Sequence, residues 1–153
     1  MTAQSVLLVE DNAGDEALTL RALKKHGIVN TVDVTRDGAE ALEYLFCTGK
    51  YALRNSEPPP SVVLLDINLP KMSGLEVLLH IRADQRTKLL PVVLLTSSDE
   101  ERDSLDGYRN GANSYVRKPV EFNEFAAAVQ RVGLYWLVLN RNPPQMQIAA
   151  TAA

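Results

Sequence analysis

Residues 62–74, with the sequence VVLLDINLPKMSG, constrain the fold of this chain more than any other stretch. Four consecutive apolar residues precede Asp66, and a Pro-Lys-Met-Ser-Gly turn ends the stretch. A short apolar run bounded by turn residues is typical of a strand that is buried on both faces of a sheet. Asp66 would then lie at the carboxyl end of this strand, where open parallel α/β sheets bind their ligands. In that position a carboxylate acts as a metal ligand, a nucleophile or a cap of the following loop.

Four further segments have the pattern of short strands, and amphipathic helical segments separate them. The strands are predicted at residues 5–10, 31–35, 92–95 and 114–116. Helices are predicted at 15–26, after Asp37-Gly38, and at 75–83, 99–110 and 121–139. Strands that alternate with helices pair in parallel through crossover connections, and the helices then cover both faces of the sheet. The chain is therefore predicted to be an α/β domain with a doubly wound, five-stranded parallel sheet.

The composition fits one globular domain and excludes several classes of protein. The 153 residues carry a net charge of −3 and include one cysteine, Cys47. An acidic balance without a basic stripe argues against nucleic-acid binding. A single cysteine excludes an internal disulfide framework and fits a reducing compartment, and no apolar run reaches the roughly 18 residues that a membrane span needs. We therefore predict a cytoplasmic protein that binds neither nucleic acid nor membrane.

Residues 1–139 are expected to form this domain, and two segments of it depart from a simple alternation of strands and helices. Residues 48–60 form an insertion that is expected to lack regular structure, because the helical periodicity fades and three prolines end the segment. The alternatives are that Tyr51 and Leu53 prolong the preceding helix or anchor the loop. The last predicted helix, at 121–139, is long for a domain of this size. Residues 140–153 are polar and then alanine-rich, and we expect a disordered tail.

The predicted strand ends bring a set of polar residues to one edge of the sheet. Parallel pairing places all the carboxyl ends there, and the residues that arrive are Glu10, Asp11, Asp66, Asn68, Thr96 and Lys118. Three neighbouring carboxylates repel one another unless a cation compensates their charge. Carboxylates together with a main-chain carbonyl suit Mg²⁺, which keeps several waters. The sequence therefore predicts a magnesium site formed by Glu10, Asp11, Asp66 and the main-chain carbonyl of Asn68.

An exposed aspartate beside Mg²⁺, a hydroxyl and a lysine fits phosphoryl transfer. An attacking carboxylate oxygen meets a phosphorus whose equatorial oxygens need neutralisation, and positioning and electrostatics supply most of the catalysis. In this interpretation Asp66 is the nucleophile, and Thr96 and Lys118 contact the phosphoryl oxygens.

Four motifs, each at the end of a predicted strand, resemble the receiver domain of two-component response regulators. They are VEDN at 9–12, LLDINLPKMSG at 64–74, LLTSS at 94–98 and YVRKP at 115–119, and the resemblance extends over roughly residues 6–132. It implies a flavodoxin-like sheet with the strand order 2-1-3-4-5. It also implies a signalling protein and not an enzyme, which accepts a phosphoryl group from a sensor histidine kinase on Asp66. Thr96 and Tyr115 match the switch positions of the family.

The end of the last predicted helix is apolar almost all round, beyond what one core-facing stripe requires. Residues 133–139 read GLYWLVL, and the candidate interface residues are Leu134, Tyr135, Trp136, Leu137 and Val138. We favour an interface with a partner protein or a second copy of the chain over the alternative that these residues close the core, and we expect a homodimer in solution. Together with the insertion after Cys47, this segment resembles the single-domain regulators that are paired with phytochrome-type histidine kinases.

Two other classes of protein share parts of this pattern, and a third alternative lies within the receiver family. A phosphatase of the haloacid dehalogenase type also uses an aspartate nucleophile with Mg²⁺, but it needs a second acid where this chain has Asn68. A flavin-binding module needs a phosphate loop after the first strand, where Glu10 and Asp11 would repel a phosphate. The third alternative is a receiver-like scaffold that is not phosphorylated.

Overall fold

The computed structural model describes residues 5–24, 31–96, 106, 108–117, 123–124, 127–128, 130–131 and 135. The strands are β1 (Ser5–Val9), β2 (Thr31–Thr35), β3 (Val62–Asp66), β4 (Val92–Thr96) and β5 (Ser114–Arg117). The α-helices with complete bounds are α1 (Ala13–Lys24), α2 (Gly38–Phe46) and α3 (Gly74–Ala83). All five predicted strands are therefore present, with bounds that differ from the predicted ones by a residue or so.

The strands form one parallel sheet with the order β2-β1-β3-β4-β5, as the resemblance implied. β3 and β4 are buried along their whole length, whereas β2 is an edge strand and is mostly half-buried. This difference explains the sequence pattern, because a strand covered on both faces needs a continuous apolar run and an edge strand does not.

The side chains of the sheet alternate between two apolar clusters, one on each face. Val6, Leu8 and Leu64 pack with Ala22 and Leu23 of α1. The residues between them on the strands pack on the opposite face with α2 and α3, and this second cluster includes Leu7, Val9, Leu65, Ala41, Tyr44, Val77 and Leu78. The helices therefore lie on both faces, which confirms the predicted doubly wound architecture.

The prediction that the insertion lacks regular structure is wrong. Residues Gly49–Ser56 form a 3₁₀ helix, which we call the inserted helix. Its Lys50 pairs with Glu40 of α2, and its Tyr51 hydroxyl donates to the same carboxylate at 3.2 Å. The Arg54 guanidinium lies 3.5 Å from the centre of the Tyr44 ring and donates to the Tyr44 carbonyl at 2.6 Å. These contacts join residues about ten positions apart. Helical periodicity reflects only neighbours three or four positions apart, so it gives no sign of them.

The predictions for the C-terminal third fall only partly on described residues. Residues 108–109, 123–124, 127–128, 130–131 and 135 are helical, within the segments where helices are predicted. The remainder of the long last helix and the whole tail 140–153 lie outside the described residues. Within the described ranges, no helix combines the length and the apolar character that crossing a membrane requires.

The hydroxyl of Thr35 at the end of β2 yields a stability prediction. Thr35 is fully buried, and its Oγ1 has no hydrogen-bond partner in the part of the chain that the structure describes. A buried hydroxyl without a partner has lost its hydration and gained nothing in return. Thr35→Val keeps the shape of the side chain, so we expect it to raise the free energy of unfolding by about 1 kcal/mol, measured by urea denaturation.

Thr87 provides the matched control, because its hydroxyl is also buried but donates to the Ile81 carbonyl at 2.6 Å. Thr87→Val removes this donor from the Ile81 carbonyl and is expected to lower the free energy of unfolding by about 1 kcal/mol. A loss of stability in both variants would contradict the assignment of Thr35.

Candidate functional site

The carboxyl ends of the strands place the predicted site residues along one edge of the sheet. Asp66 is the last residue of β3, and Thr96 is the last residue of β4. The two strands are in register with Asp66 opposite Leu95, so Asp66 and Thr96 end adjacent strands one position apart. Glu10 follows directly after β1, on the other side of β3. Topology alone therefore brings together residues that are far apart in the sequence.

Three carboxylates meet at this edge, as the sequence predicts. One carboxylate oxygen from each of Glu10, Asp11 and Asp66 lies within 4.8 Å of the others. Glu10 is fully buried, Asp11 is exposed, and Asp66 retains 5% of its accessible surface. Asp66 is thus far less exposed than expected.

This cluster fits a small divalent cation. Three carboxylates at such spacing repel one another, and burial of two of them strengthens the repulsion. A set of oxygen ligands with one exposed member is the arrangement that Mg²⁺ prefers, since the ion keeps part of its hydration shell. The residues present therefore match the cation that the sequence predicts.

The backbone of the loop between β3 and α3 orients the Asp66 side chain. The backbone N–H of Asn68 donates to Asp66 Oδ1 at 2.9 Å, which orients the carboxylate. Farther along, Met72 N–H donates to the Pro70 carbonyl at 2.7 Å, and Lys71 between them has a φ of 67°. This is a three-residue γ-turn in a conformation that is strained for a residue other than glycine. Backbone hydrogen bonds therefore set the conformation of this loop. The Asn68 side chain is exposed.

Gly74, the first residue of α3, contacts the site in a way that the sequence analysis missed. A Cβ atom at Gly74 would lie 2.2 Å from the Asp66 carbonyl oxygen and 2.8 Å from the Ile67 Cα. Its N–H also donates to the Ile67 carbonyl at 2.9 Å. Only a residue without a side chain allows α3 to start this close to the end of β3. The glycine that ends the PKMSG turn is the available signal, although from the sequence it indicates only a turn.

The remaining predicted residues are placed less completely. Thr96 is fully buried at its strand end. Tyr115, in β5, is half-buried, and its ring centre lies 6.4 Å from that of Tyr108 at an angle of 37°. Tyr135 is 49% exposed. Lys118 and four of the candidate interface residues lie outside the described residues, namely Leu134, Trp136, Leu137 and Val138.

Comparison with known proteins agrees with this geometry. A family model described as "Response regulator receiver domain" matches residues 6–130. The response regulator Rcp1 of Synechocystis sp. is 36% identical over 132 residues, which cover 86% of this chain and 88% of Rcp1. The crystal structure of the Mn²⁺-bound form of response regulator Rcp1 superposes with a TM-score of 0.84 at 35% identity, covering 92% of this chain and 99% of that chain.

Two further solved structures are similar over nearly their whole length. The phosphorylated cyanobacterial phytochrome response regulator RcpA aligns with a TM-score of 0.86 at 35% identity, covering 94% of this chain and all of RcpA. The bacteriophytochrome response regulator AtBRR aligns with a TM-score of 0.74 at 49% identity, covering 92% of this chain and all of AtBRR. With its parallel sheet, its acidic edge and these similarities, the chain belongs to the response regulator receiver domain family and is similar to phytochrome-associated members of it.

Proposed function

We propose that this protein receives a phosphoryl group on Asp66 from a sensor histidine kinase, and that Mg²⁺ is the cofactor. The observation that carries the proposal is the cluster of Glu10, Asp11 and Asp66, whose carboxylate oxygens lie within 4.8 Å at the end of β3. An aspartate nucleophile beside two further carboxylates needs a cation before a phosphoryl group with its own negative charge can approach.

The proposed transfer uses each site residue in one role. An oxygen of Asp66 forms a bond to phosphorus while the bond from phosphorus to the kinase histidine nitrogen breaks, and the electron pair stays on that nitrogen. The Asn68 N–H at 2.9 Å orients the attacking carboxylate. Thr96, at the end of the neighbouring strand, and Lys118 bind the phosphoryl oxygens in this proposal, and Thr96 with Tyr115 then changes the protein surface.

Asp11, Asp66 and the main-chain carbonyl of Asn68 are the proposed direct ligands of the cation, and Glu10 would contact it through a water. Mg²⁺ supplies positive charge that offsets the three carboxylates and the developing charge on the phosphoryl oxygens. The hard oxygen character of this ligand set supports the assignment, and so does the Mn²⁺-bound form of Rcp1.

A comparison of phosphorylation in wild type and Asp66→Asn tests this proposal. Each protein is incubated with Mg²⁺ and acetyl phosphate, and its intact mass is measured. We expect wild type to gain one phosphoryl group and Asp66→Asn to gain none, because an amide is a poor nucleophile. Wild type that stays unmodified, as a receiver-like scaffold would, or a mutant that is modified equally, would contradict the proposal.

The proposed phosphodonor is a phytochrome-type histidine kinase, because RcpA and AtBRR are phytochrome response regulators. Such a kinase takes its phosphoryl group from ATP, so the proposal places the protein in the cytoplasm. Its role would be signalling through a protein surface and not turnover of a small substrate.

We also propose that the protein forms a homodimer through the end of its last helix. The apolar sequence at 133–139 supports this, and Tyr135 is 49% exposed in one copy of the chain. We expect light scattering to give the mass of a dimer at micromolar concentration. A monomer at every concentration, with and without acetyl phosphate, would show that this surface does not pair.

A further inference from the structure

The N-terminus of α2 packs directly against the segment that follows Asp66. Gly38 is the first residue of α2 and is buried. A Cβ atom at this position would lie 2.7 Å from Val77 Cγ2, and 3.1 Å from Met72 Cβ and Sδ. Met72 belongs to the β3–α3 loop, and Val77 is fully buried in the first turns of α3. The start of α2 therefore leaves no room for a side chain between Gly38 and Met72 of the loop that orients the Asp66 carboxylate.

The inserted helix holds α2 at this place through one carboxylate. Glu40 accepts hydrogen bonds from the Arg36 N–H at 2.7 Å and from the Tyr51 hydroxyl, and it pairs with Lys50. Burial opposes ionisation of Glu40, but these partners outweigh it and lower its pKa from the ordinary value. Glu40 is thus a charged group that joins the inserted helix to the backbone on the N-terminal side of α2, two residues from Gly38.

A second set of contacts fixes the other end of α2. Tyr44 donates its hydroxyl proton to Asp33 of β2, and the Arg54 guanidinium covers its ring at 3.5 Å. Burial first, and the hydrogen bond to Asp33 second, raise the pKa of Tyr44 above its ordinary value, so the hydroxyl remains a donor. The inserted helix therefore contacts α2 near both of its ends, and α2 packs between the inserted helix and α3.

We propose that Gly38 is a positioning residue for phosphorylation of Asp66, and that the inserted helix acts with it by pressing α2 against the β3–α3 loop. This inference rests on the proposed function. A side chain at Gly38 would crowd Val77, which is fully buried and closely packed, and Met72 of the β3–α3 loop. The resulting displacement is therefore transmitted to that loop. A shift of the Asn68 N–H turns the Asp66 carboxylate away from its attacking orientation, and small displacements of this kind are costly for rate.

Gly38→Ala and its repair by Val77→Ala test the contact. The rate of phosphorylation by acetyl phosphate is measured at saturating Mg²⁺ and at a temperature where each variant is folded. We expect Gly38→Ala to be slower by about tenfold, and the double variant, in which Val77→Ala makes room for the new methyl group, to return to within about threefold of wild type. Ala39→Gly, at the exposed neighbouring position, perturbs the same helical turn without this contact and is the matched control, with a rate close to wild type.

The amide signal of Asn68 in nuclear magnetic resonance spectra separates this inference from the proposed function. Recorded without Mg²⁺ or phosphodonor, it is expected to shift in Gly38→Ala, to return in the double variant, and to stay in place in Ala39→Gly. If wild type is not phosphorylated, the proposed function fails, but the amide shift still reports whether Gly38 positions the loop. A folded Gly38→Ala with the wild-type rate and the wild-type Asn68 signal overturns the inference.

The contribution of the inserted helix is tested with a variant that remains in the same fold. Tyr51→Phe with Arg54→Met removes its hydrogen bonds to Glu40 and to the Tyr44 carbonyl. We expect a rate about threefold lower than wild type and a shift of the Asn68 amide in the same direction as in Gly38→Ala. A wild-type rate and an unshifted Asn68 amide in this variant would show that the inserted helix does not hold the loop.

Discussion

Gly74→Ala is expected to lower the free energy of unfolding by about 3 kcal/mol. The new Cβ would lie 2.2 Å from the Asp66 carbonyl oxygen, 2.8 Å from the Ile67 Cα and 2.9 Å from the Asp66 carbonyl carbon. All three are backbone atoms, and none of them can rotate away as the end of a flexible side chain does. Either α3 moves outward or the end of β3 is displaced. Urea denaturation monitored by circular dichroism measures the loss.

The same substitution is expected to slow phosphorylation of Asp66 by about a hundredfold at a temperature where the variant is folded. The clash falls on the main chain of Asp66, the proposed phosphoacceptor, so relief of the strain would move its carboxylate. Intact-mass kinetics with acetyl phosphate measure this rate.

Gly14→Ala is the control for both effects. Gly14 is exposed in the first turn of α1, and the atom nearest to its added Cβ is Asn12 Oδ1 at 3.2 Å, at the end of a side chain. Alanine favours a helix over glycine by up to about 1 kcal/mol, so Gly14→Ala is expected to be neutral or slightly stabilising. Equal unfolding midpoints and equal rates for Gly74→Ala and wild type would refute the steric argument.

Arg82→Met is expected to lower the free energy of unfolding by about 3 kcal/mol. The half-buried Arg82 guanidinium donates to the carbonyls of Gly111 at 2.9 Å, Lys88 at 3.1 Å and Leu90 at 2.7 Å. It also donates to the Asn113 amide oxygen at 2.9 Å. Burial removes hydration from the Arg82 guanidinium and lowers its pKa from the ordinary value, and these acceptors replace the lost water contacts.

These bonds tie α3 to the segments that lead into β4 and β5. The Asn113 amide oxygen also accepts from the Val92 N–H at 2.8 Å, so the two strands begin at a shared set of hydrogen bonds. Methionine keeps the apolar stem but leaves the carbonyls without their donor. Arg82→Lys is expected to recover only part of the loss, because an ammonium group lacks the planar fork that reaches several acceptors at once.

Arg86→Met is the matched control for Arg82→Met. Arg86 lies four residues further on, and it pairs with Asp84 at 2.9 Å, with both side chains about one-third exposed. Its guanidinium also lies 4.8 Å from the centre of the Phe46 ring. Ion pairs of this kind contribute at most about 1 kcal/mol. If Arg82→Met and Arg86→Met shift the urea midpoint equally, the carbonyl network of Arg82 is not what stabilises this part of the fold.

The strands and the acidic cluster could be predicted because their signals are local. Apolar runs such as VVLL before Asp66 report burial on both faces, and the structure confirms it for β3 and β4. Because the strands are parallel, the residues after each run lie at the same edge of the sheet, and this does not depend on the conformation of the loops. Glu10, Asp11 and Asp66 could therefore be grouped without knowledge of any distance, and their oxygens do lie within 4.8 Å.

The inserted helix could not be predicted, because its stability depends on contacts outside its own segment. Gly49–Ser56 is only eight residues long, and its Leu53 is 94% exposed. Arg54 against the ring of Tyr44 and Tyr51 against Glu40 join positions ten and eleven residues apart. A 3₁₀ helix is weak in isolation, so these side-chain contacts with α2 decide whether it forms.

The sequence alone determined the order of the five strands and the grouping of three carboxylates at the carboxyl edge, since both follow from short-range patterns. Only the tertiary structure decided how closely the segments approach, and with it the roles of Gly74, Gly38 and Arg82. A glycine is required only where another part of the chain occupies the space that a side chain would fill. The Asp66 carbonyl occupies this space at Gly74, and Val77 occupies it at Gly38. Arg82 likewise stabilises the fold only because carbonyls up to 29 residues away lie within hydrogen-bond distance of its guanidinium. Such distances are properties of packing, and packing is set by the whole chain at once.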